Sequence, residues 1–564
     1  MSSERHVRAR ARLLPVSLVL LSVAGALAQT PASPRFRPDD PLRVDDDRRQ
    51  DASGFASIEL SETFDFATNQ FGRPGDRRAR HAVNVNTLDE VPDSSWFVNR
   101  IGVRPMPAAE LRRGPHKFET AEALTWDTWT VTQGKGPGGF HPGFRAERPG
   151  DPGQVYQLET DPVGRPRLAT GAEIIGTLIY HALGYHTQDV YPVRIHPSKL
   201  TLSPRATVRD ASGRRRYTAT DLDGVLRNAA RDAEGRVYFS ATRFEEGEDA
   251  GNFEYFGVRA DDPNDIYPHE HRRELRANRV FAAWLAHDDS RALNTRNLKK
   301  PLDGRRYVEH FMYDFGAVLG SATRFPDNPI GNHQHFVERK PSLTALLTLG
   351  LRTPPPLRVP VPRDLPPAAG SYESESFDPR AWKANYPNPA FANMQPADAF
   401  WGARLVSRFT DEALQAIVEA ADLDDAAAST YLVGALGRRR DKIARTWLTP
   451  LNPVTDVALA ADGTLTFANA AVEARVATPA RYEIAWARYD NVTGQRTEVT
   501  TTRSDEPRST APADLVANAP FIQASIRSLH TDFPAWATPV QVWFRRDGVV
   551  WTTVGLERTP PPTR

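Results

Sequence analysis

The stretch over residues 281–316, which reads FAAWLAHDDSRALNTRNLKKPLDGRRYVEHFMYDFG, decides how this chain folds around its polar residues. Apolar residues at helical spacing predict a helix over Glu270–Leu285 that delivers the chain to His287. A polar loop follows, and two short alternating runs then flank Asp303-Gly304, a dipeptide typical of hairpin turns. The second run ends at Asp314-Phe315-Gly316, so the stretch predicts a helix, a polar loop and a hairpin with polar side chains at adjacent strand ends.

This pattern resembles the catalytic centre of the protein-kinase-like superfamily, where His-x-Asp-x4-Asn precedes a short hairpin and Asp-Phe-Gly. The resemblance implies that His287 and Asp289 are catalytic, with Asp289 accepting or orienting the proton of the nucleophile. It also implies that Asn294 and Asp314 bind Mg²⁺ against the phosphates of ATP. Asp288 is a competing base, but only Asp289 keeps the five-residue step to Asn294.

The segment before this centre carries features of a nucleotide-clamping lobe. Residues 129–140 read WTVTQGKGPGGF, a strand running into a glycine-rich turn that contains Lys135 and Gly136. A plain Gly/Pro hairpin remains an equal alternative, because the glycine spacing differs from that of kinases. Residues 170–184 predict an amphipathic helix that ends at a glycine. The resemblance implies that this is the regulatory helix and that Glu173 is its ion-pairing glutamate.

One departure from the kinase pattern concerns the lysine that should pair with this glutamate. The resemblance places it in the strand 155–161, which contains no lysine and has Gln157 or Glu159 instead. Lys135 or Arg145 could supply the positive charge from elsewhere. Lys135, Gly136 and Glu173 are therefore the expected cofactor-binding residues, and the departure bears on catalysis more than on fold.

The whole pattern predicts an α+β chain with a two-lobed kinase-like domain over residues 56–450. Its β-rich small lobe spans about 120–245 and its helical large lobe about 265–450. Two strong helical patterns, Ala399–Ala421 with a break at Thr410 and Asp425–Trp447, belong to the large lobe. Within the second, Arg438-Arg439-Arg440 is interpreted as a solvated helix end that matches the helix dipole, with an anion site as the alternative.

From residue 452 the apolar period changes from 3.6 to 2. Asp462-Gly463 and Asp547-Gly548 each lie between alternating runs, which is a hairpin signal. Residues 452–564 therefore predict a β-sandwich of immunoglobulin or fibronectin type.

The first residues are typical of a targeting segment. Residues 1–28 combine four arginines, an apolar run from Leu13 to Ala26 and a small-x-small cleavage pattern, which together predict a signal peptide. An uncleaved membrane anchor is the alternative. Residues 29–55 predict a flexible lead-in, and no later stretch is long and apolar enough to span a membrane. The expected location is exported, either periplasmic or extracellular.

The amino-acid composition excludes several classes of function. The 564 residues include 71 Lys+Arg and 70 Asp+Glu, a net charge of +1 that excludes nucleic-acid binding driven by bulk charge. The absence of cysteine excludes disulfides, thiolate zinc sites and cysteine nucleophiles. The expected partner is an acceptor, protein or small molecule, of unknown identity.

Three functions remain open at this level. The first is an exported Mg-ATP-dependent phosphotransferase, or nucleotidyl transferase, of unknown acceptor. The second is a non-catalytic kinase-like binding or scaffold protein, favoured by the missing strand lysine and by the scarcity of ATP outside the cell. The third is a metal-dependent hydrolase, for which the following residues would supply ligands: His269, His271, His287, Asp288, Asp289, His310 and Asp314.

Overall fold

A computed structural model describes residues 33–40, 50–116, 120–136, 141–148, 151–328, 331–349, 351 and 363–559. The predicted signal peptide and the glycine-rich turn beyond Gly136 lie outside the described residues. The described chain is mixed α+β with several separate sheets, which confirms the predicted class at that level.

The α-helices are α1 (Glu62–Ala67), α2 (Ala108–Arg113), α3 (Ala121–Trp126), α4 (Ala169–Leu183), α5 (Ala219–Arg227), α6 (Arg273–Leu285), α7 (Arg339–Leu347), α8 (Pro389–Ala392), α9 (Pro396–Ser407), α10 (Asp411–Ala420), α11 (Ala426–Leu448), α12 (Ala470–Glu473) and α13 (Ala513–Asn518). The predicted break at Thr410 is confirmed, since the Thr410 hydroxyl caps α10 by accepting from the Ala413 N–H at 3.2 Å.

The first sheet is built from β1 (Trp129–Gly134), β2 (Gly143–Arg148), β3 (Asp151–Thr160), β4 (Asp189–Ile195), β5 (Leu200–Asp210), β6 (Gly213–Arg216) and β7 (Val237–Arg243). Its strand order is β4-β7-β3-β2-β1-β5-β6. Every neighbouring pair is antiparallel except β1 with β5. The buried helix α4 packs against β4, β7 and β3, which are the three consecutive strands at one end of this sheet.

A small sheet carries the hairpin of the quoted stretch. It consists of β8 (Glu248–Asp249), β9 (Thr295–Leu302) and β10 (Arg305–Met312), in the order β10-β9-β8. Asp303 and Gly304 form the turn with φ of 49° and 77°, the left-handed conformations that a two-residue hairpin turn requires. The buried helix α6 precedes this hairpin and packs against α9 and α11.

Two antiparallel sheets follow residue 452. The strands are β11 (Val454–Leu459), β12 (Thr464–Asn469), β13 (Arg481–Tyr489), β14 (Arg496–Ser504), β15 (Arg508–Thr510), β16 (Phe521–Leu529), β17 (Val540–Asp547) and β18 (Val550–Arg558). The orders are β11-β12-β15 and β14-β13-β16-β17-β18. Asp462-Gly463 and Asp547-Gly548 lie in hairpin turns, as predicted. The short helices α12 and α13 also belong to this region, so it is not purely β.

One sequence-based interpretation is wrong. Arg438–Arg440 do not end a helix, because α11 continues to Leu448; Arg439 is buried and donates to the carbonyl of Ala283 at 2.6 Å. In the predicted lead-in, Phe36 is buried against Trp543 and Phe55 is buried in a cluster with Val308, while most of its other described residues are exposed.

No helix within the described ranges has the length and apolarity needed to cross a membrane.

Candidate functional site

The β9–β10 hairpin brings two parts of the quoted stretch together. Thr295 pairs with Met312 in the antiparallel register, so the residues just outside the hairpin are neighbours. The N–H of Tyr313 donates to the carbonyl of Asn294 at 3.0 Å. Asp314 therefore follows directly after a residue that is bonded to Asn294, although twenty residues separate them in sequence.

The loop after α6 holds Asp289 against Asn294. Helix α6 ends with Ala286 in the left-handed conformation (φ 55°), which turns the chain out of the helix. The Asn294 side-chain amide donates to the Asp289 carboxylate at 2.9 Å and to the Asp289 carbonyl at 2.8 Å. Arg291 places its Nε 2.8 Å from the other Asp289 oxygen, and its Nη1 donates to Glu62 at 2.9 Å. Asp289 is thus oriented by two neighbours on its own loop.

The environment of Asp289 suits a proton acceptor near neutral pH. Burial raises the pKa of Asp289 and the nearby Asp314 carboxylate adds to this, while Arg291 and the Asn294 and Asn385 side chains lower it; the net pKa is about 6. A carboxyl group with this pKa is ionised at neutral pH yet is a stronger base than an ordinary aspartate.

His287 is buried among aromatic rings. Its ring centroid lies 5.7 Å from that of Phe315 and 6.2 Å from that of Tyr180. Burial and the charge of Arg291 lower its pKa to about 3, and neither ring nitrogen has a hydrogen-bond partner among the described residues. This geometry favours a packing role behind Asp314 over the proton-transfer role that the resemblance implies.

Asp314 adopts a left-handed backbone conformation, with φ of 57°. This conformation is uncommon for a residue with a side chain and concentrates at functional sites. Its side chain is open to solvent on one side. Even so, the surrounding protein raises its pKa, and Glu159 adds to the effect, whereas Lys135 and His141 lower it. The Asp314 carboxylate is therefore accessible to a ligand from solvent.

Glu173 of α4 holds the turn after Asp314. Its carboxylate accepts hydrogen bonds from the backbone N–H groups of Phe315 and Gly316. Burial and the nearby Asp314 and Glu159 carboxylates raise its pKa well above the ordinary value. A Cβ on Gly316 would lie 3.5 Å from Glu173 Oε2, so the two are in close contact. Glu173 therefore fixes the backbone that aims Asp314.

The start of α4 is tied to the sheet by Asp161, immediately after β3. Asp161 accepts from the N–H groups of Arg167, Ala169 and Thr170 at 2.8–3.0 Å and from the Thr170 hydroxyl at 2.6 Å. These bonds satisfy N–H groups at the first turn of the helix. They set the position of Glu173 relative to β3.

Lys135 pairs with Glu159, and not with Glu173 as the resemblance implies. Lys135 follows β1 and its Nζ donates to Glu159 of β3. The buried His141, just before β2, places Nδ1 2.9 Å from the other Glu159 oxygen. Burial opposes ionisation of Glu159, but His141 and Lys135 outweigh it and lower its pKa to about 2. Burial lowers the pKa of His141 and Glu159 raises it, with a net increase.

The neighbouring residues of the first sheet have other surroundings. Gly136 runs so close to β5 that a Cβ would lie 2.9 Å from the Arg209 carbonyl oxygen, so glycine is required there. Arg145 stacks its guanidinium 4.8 Å from the ring of Phe244. Of the two cations considered for the missing lysine, Lys135 is therefore the one in the Glu159 cluster.

A second carboxyl pair lies behind Asp289. The buried Asp288 is in hydrogen-bond contact with Asp327. Burial raises the pKa of Asp288 well above its ordinary value and that of Asp327 to about 6. A shared proton accounts for the contact, since two ionised carboxylates would repel at this separation. Asp288 is thereby engaged away from Asn294.

The available oxygen donors suit Mg²⁺, which shares its coordination shell with phosphates and waters, better than a metal held by protein ligands alone. Among the described residues, no group of three or more His, Asp or Glu side chains is placed to hold a metal ion. Mg²⁺ is commonly bound through one or two carboxylates, with phosphates and waters completing its shell. Asp314, with the Asn294 backbone beside it, fits that arrangement.

The described histidines proposed for a hydrolase do not form a group of three or more ligands placed around one metal position. His269 bonds Asp265 at 2.8 Å, and His310 stacks on Trp96 with ring centroids 3.5 Å apart. His271 is engaged by Arg276. This geometry does not favour the metal-dependent hydrolase.

Sequence reasoning missed three members of this cluster: His141, Arg291 and Asp327. His141 reaches Glu159 because β2 pairs with β3, and Asp327 contacts Asp288 from a segment distant in sequence. Neither contact produces a pattern in the local sequence. Arg291 lies inside the recognised loop, where an arginine two residues after the candidate base was a usable signal.

Compared with models of protein families, with curated proteins and with solved structures, the chain gives no match.

Proposed function

We propose that the chain is an exported, two-lobed kinase-like phosphotransferase that uses Mg-ATP and acts on a hydroxyl-bearing acceptor. In this proposal the first sheet and α4 form the small lobe, and the helices from α6 to α11 form the large lobe. The two sheets after residue 452 form an appended β-sandwich. The predicted signal peptide supports export.

One observation carries the proposal. The β9–β10 hairpin joins Asp289, Asn294 and Asp314 through the Asn294 amide and the Tyr313–Asn294 backbone bond. Glu173 and Glu159 approach this group from the first sheet and its helix. A base, two oxygen donors and a cation from the opposite side are the parts that phosphoryl transfer needs.

Each residue then has a stated task. Asp289, with a pKa of about 6, accepts the proton of the acceptor hydroxyl, while Asn294 and Arg291 hold its carboxylate in place. Glu173 fixes the backbone after Asp314. Glu159 holds Lys135, whose ammonium would meet phosphate in this proposal.

The fit of Mg²⁺ rests on Asp314 and Asn294. Asp314 is solvent-accessible, crowded by protein and close to Glu159, so a cation beside it would relieve carboxylate repulsion. When bound, Mg²⁺ neutralises charge that develops on the transferring phosphate.

Thermal-shift titration of the chain with ATP and Mg²⁺ tests the proposal. We expect stabilisation of the wild type at millimolar nucleotide and its loss in Asp314→Asn, because the strongest anionic donor is removed. Asp303→Asn is the matched control, since it changes a carboxylate at the far end of the same hairpin. A wild type that shows no shift with ATP and Mg²⁺ contradicts nucleotide binding.

A non-catalytic kinase-like binding protein is the second candidate, and one observation favours it. Glu159 stands in the strand where the resemblance expects a lysine, and its carboxylate, whose pKa is lowered to about 2, already engages Lys135. An ionised carboxylate beside this lysine repels phosphate. Nucleotide binding without turnover, unchanged by Lys135→Ala, would support this candidate over the enzyme.

A further inference from the structure

Two neighbouring chain segments carry exposed apolar side chains, which together we call the apolar surface. Its members are Phe71, Phe336, Leu343, Leu346, Leu347 and Leu349, each 55–88% exposed. Isolated exposed apolar residues are ordinary on proteins, whereas a large exposed apolar patch marks an interaction site.

Two chain segments meet to form the apolar surface. The Gln70 side chain donates to the carbonyl of Val337 at 3.0 Å, which joins the segment before Phe71 to the segment of Phe336. Helix α7 starts two residues after Val337. Leu343, Leu346 and Leu347 are spaced i, i+3 and i+4 along α7, so they share one face.

The apolar surface adjoins the loop of Asp289. The Phe336 N–H donates to the carbonyl of Asn385 at 2.6 Å, and the Asn385 side chain bonds Asp289. A molecule seated on the apolar surface would therefore lie next to the candidate base.

Exposed cations lie close in sequence to members of the apolar surface. Arg73 and Arg77 follow Phe71 closely in sequence, and Lys340 lies one turn before Leu343 on α7. Within the ranges that the structure describes, none of these three cations forms an ion pair. Arginine and lysine beside exposed leucine and phenylalanine are the combination that binds a membrane interface, where apolar groups enter the acyl boundary and cations meet anionic headgroups.

We propose that the apolar surface docks the protein on an anionic lipid bilayer. The leucines of α7 and Phe71 insert at the interface, and Arg73, Arg77 and Lys340 contact the headgroup phosphates. This orientation would turn the Asp289 loop toward the bilayer. The docking itself does not depend on the proposed phosphotransferase activity.

Co-sedimentation with vesicles tests the docking. The probes are vesicles of phosphatidylglycerol mixed with phosphatidylcholine, and vesicles of phosphatidylcholine alone. We expect the wild type to partition onto the anionic vesicles, with weaker partitioning at high salt because the headgroup attraction is screened. The triple variant Leu343→Gln/Leu346→Gln/Leu347→Gln should lower the partition coefficient by about tenfold or more, because apolar insertion is lost.

The matched control is Val549→Gln/Val550→Gln, which changes an exposed residue in the turn after β17 and the exposed first residue of β18, and should leave partitioning unchanged. All variants keep the same N-terminus, so any contribution of residues 13–26 is common to them. Circular dichroism of the triple variant should match the wild type, because its positions are exposed.

Two results would overturn the docking proposal. One is the absence of an effect in the vesicle assay: either the wild type fails to bind anionic vesicles, or the triple variant binds them as well as the wild type does. The other is a wild-type dimer in light scattering that the triple variant dissociates, without any vesicle binding; a second copy would then cover the apolar surface. Nucleotide binding measured on the same samples tests the proposed function separately.

Discussion

At the scale of single residues, Asp289 carries the clearest expectation. Its pKa is raised from 3.8 to about 6, chiefly by burial, so the carboxylate is protonated below that pH and ionised above it. A base must be ionised, so turnover should rise with pH through about 6 and level off. Asp289→Asn should lower turnover by about 10²-fold or more and spare nucleotide affinity, because the base acts on the acceptor. The measurement is the pH–rate profile of both proteins; equal residual turnover would contradict catalysis by Asp289.

The Glu159–His141 pair predicts a pH-dependent stability. The pKa of Glu159 is depressed from 4.5 to about 2, so its contribution is present above pH 4.5 and is lost as pH falls toward 2. The pKa of His141 is raised above 6.5, so its contribution is present below 6.5 and is lost as pH rises through the raised value. The pair therefore stabilises the fold most between pH 4.5 and 6.5.

His141→Ala should lower the free energy of unfolding at pH 6 by about 3 kcal/mol, because it removes one partner of a buried ion pair. The decrease in stability between pH 6 and pH 9 should shrink in the same variant. Urea unfolding at both pH values measures this, with the exposed His196→Ala as control. An unchanged pH dependence in His141→Ala would show that the pair does not titrate as described.

At the scale of elements, the β9–β10 turn determines how Asn294 meets Asp314. Gly304 has φ of 77°, and a Cβ at this position would have no neighbouring atom within 4 Å. A side chain there would therefore destabilise the turn through backbone strain alone. Gly304→Val should lower the free energy of unfolding by about 1–3 kcal/mol and weaken nucleotide binding. Asp303→Asn is the control, since asparagine tolerates the left-handed conformation. If Gly304→Val has the wild-type free energy of unfolding in denaturant, the left-handed conformation of this turn does not constrain the hairpin.

The elements also show what could be predicted from sequence. The hairpin around Asp303-Gly304 and the cap at Thr410 are local signals, because turn and capping residues act within a few positions. The Lys135–Glu159–His141 contact depends on which strands pair and in which register, and the residue pattern of one strand does not encode its partner. Arg439 was misplaced because its guanidinium satisfies carbonyl groups from distant segments, among them that of Ala283.

At the scale of the whole molecule, the helices and the last two sheets share one apolar core. Leu448 and Trp284 of the helical part belong to the same buried cluster as Trp486 and Val542 of the sheets. The Trp536 indole N–H donates to the carbonyl of Thr449, just after α11, at 2.8 Å. Parts that share a core in this way should unfold together.

Arg558 at the end of β18 tests this coupling. It is buried, donates to the carbonyl groups of Asn452 and Val454, and stacks 4.1 Å from the ring of Phe400 in α9. Arg558→Met keeps the apolar bulk but leaves two carbonyl groups unbonded, so stability should fall by about 3 kcal/mol. Because the core is shared, calorimetry should show one transition that moves to lower temperature as a whole. Two separated transitions, with only one of them shifted, would mean that the sheets after residue 452 fold independently of the helices.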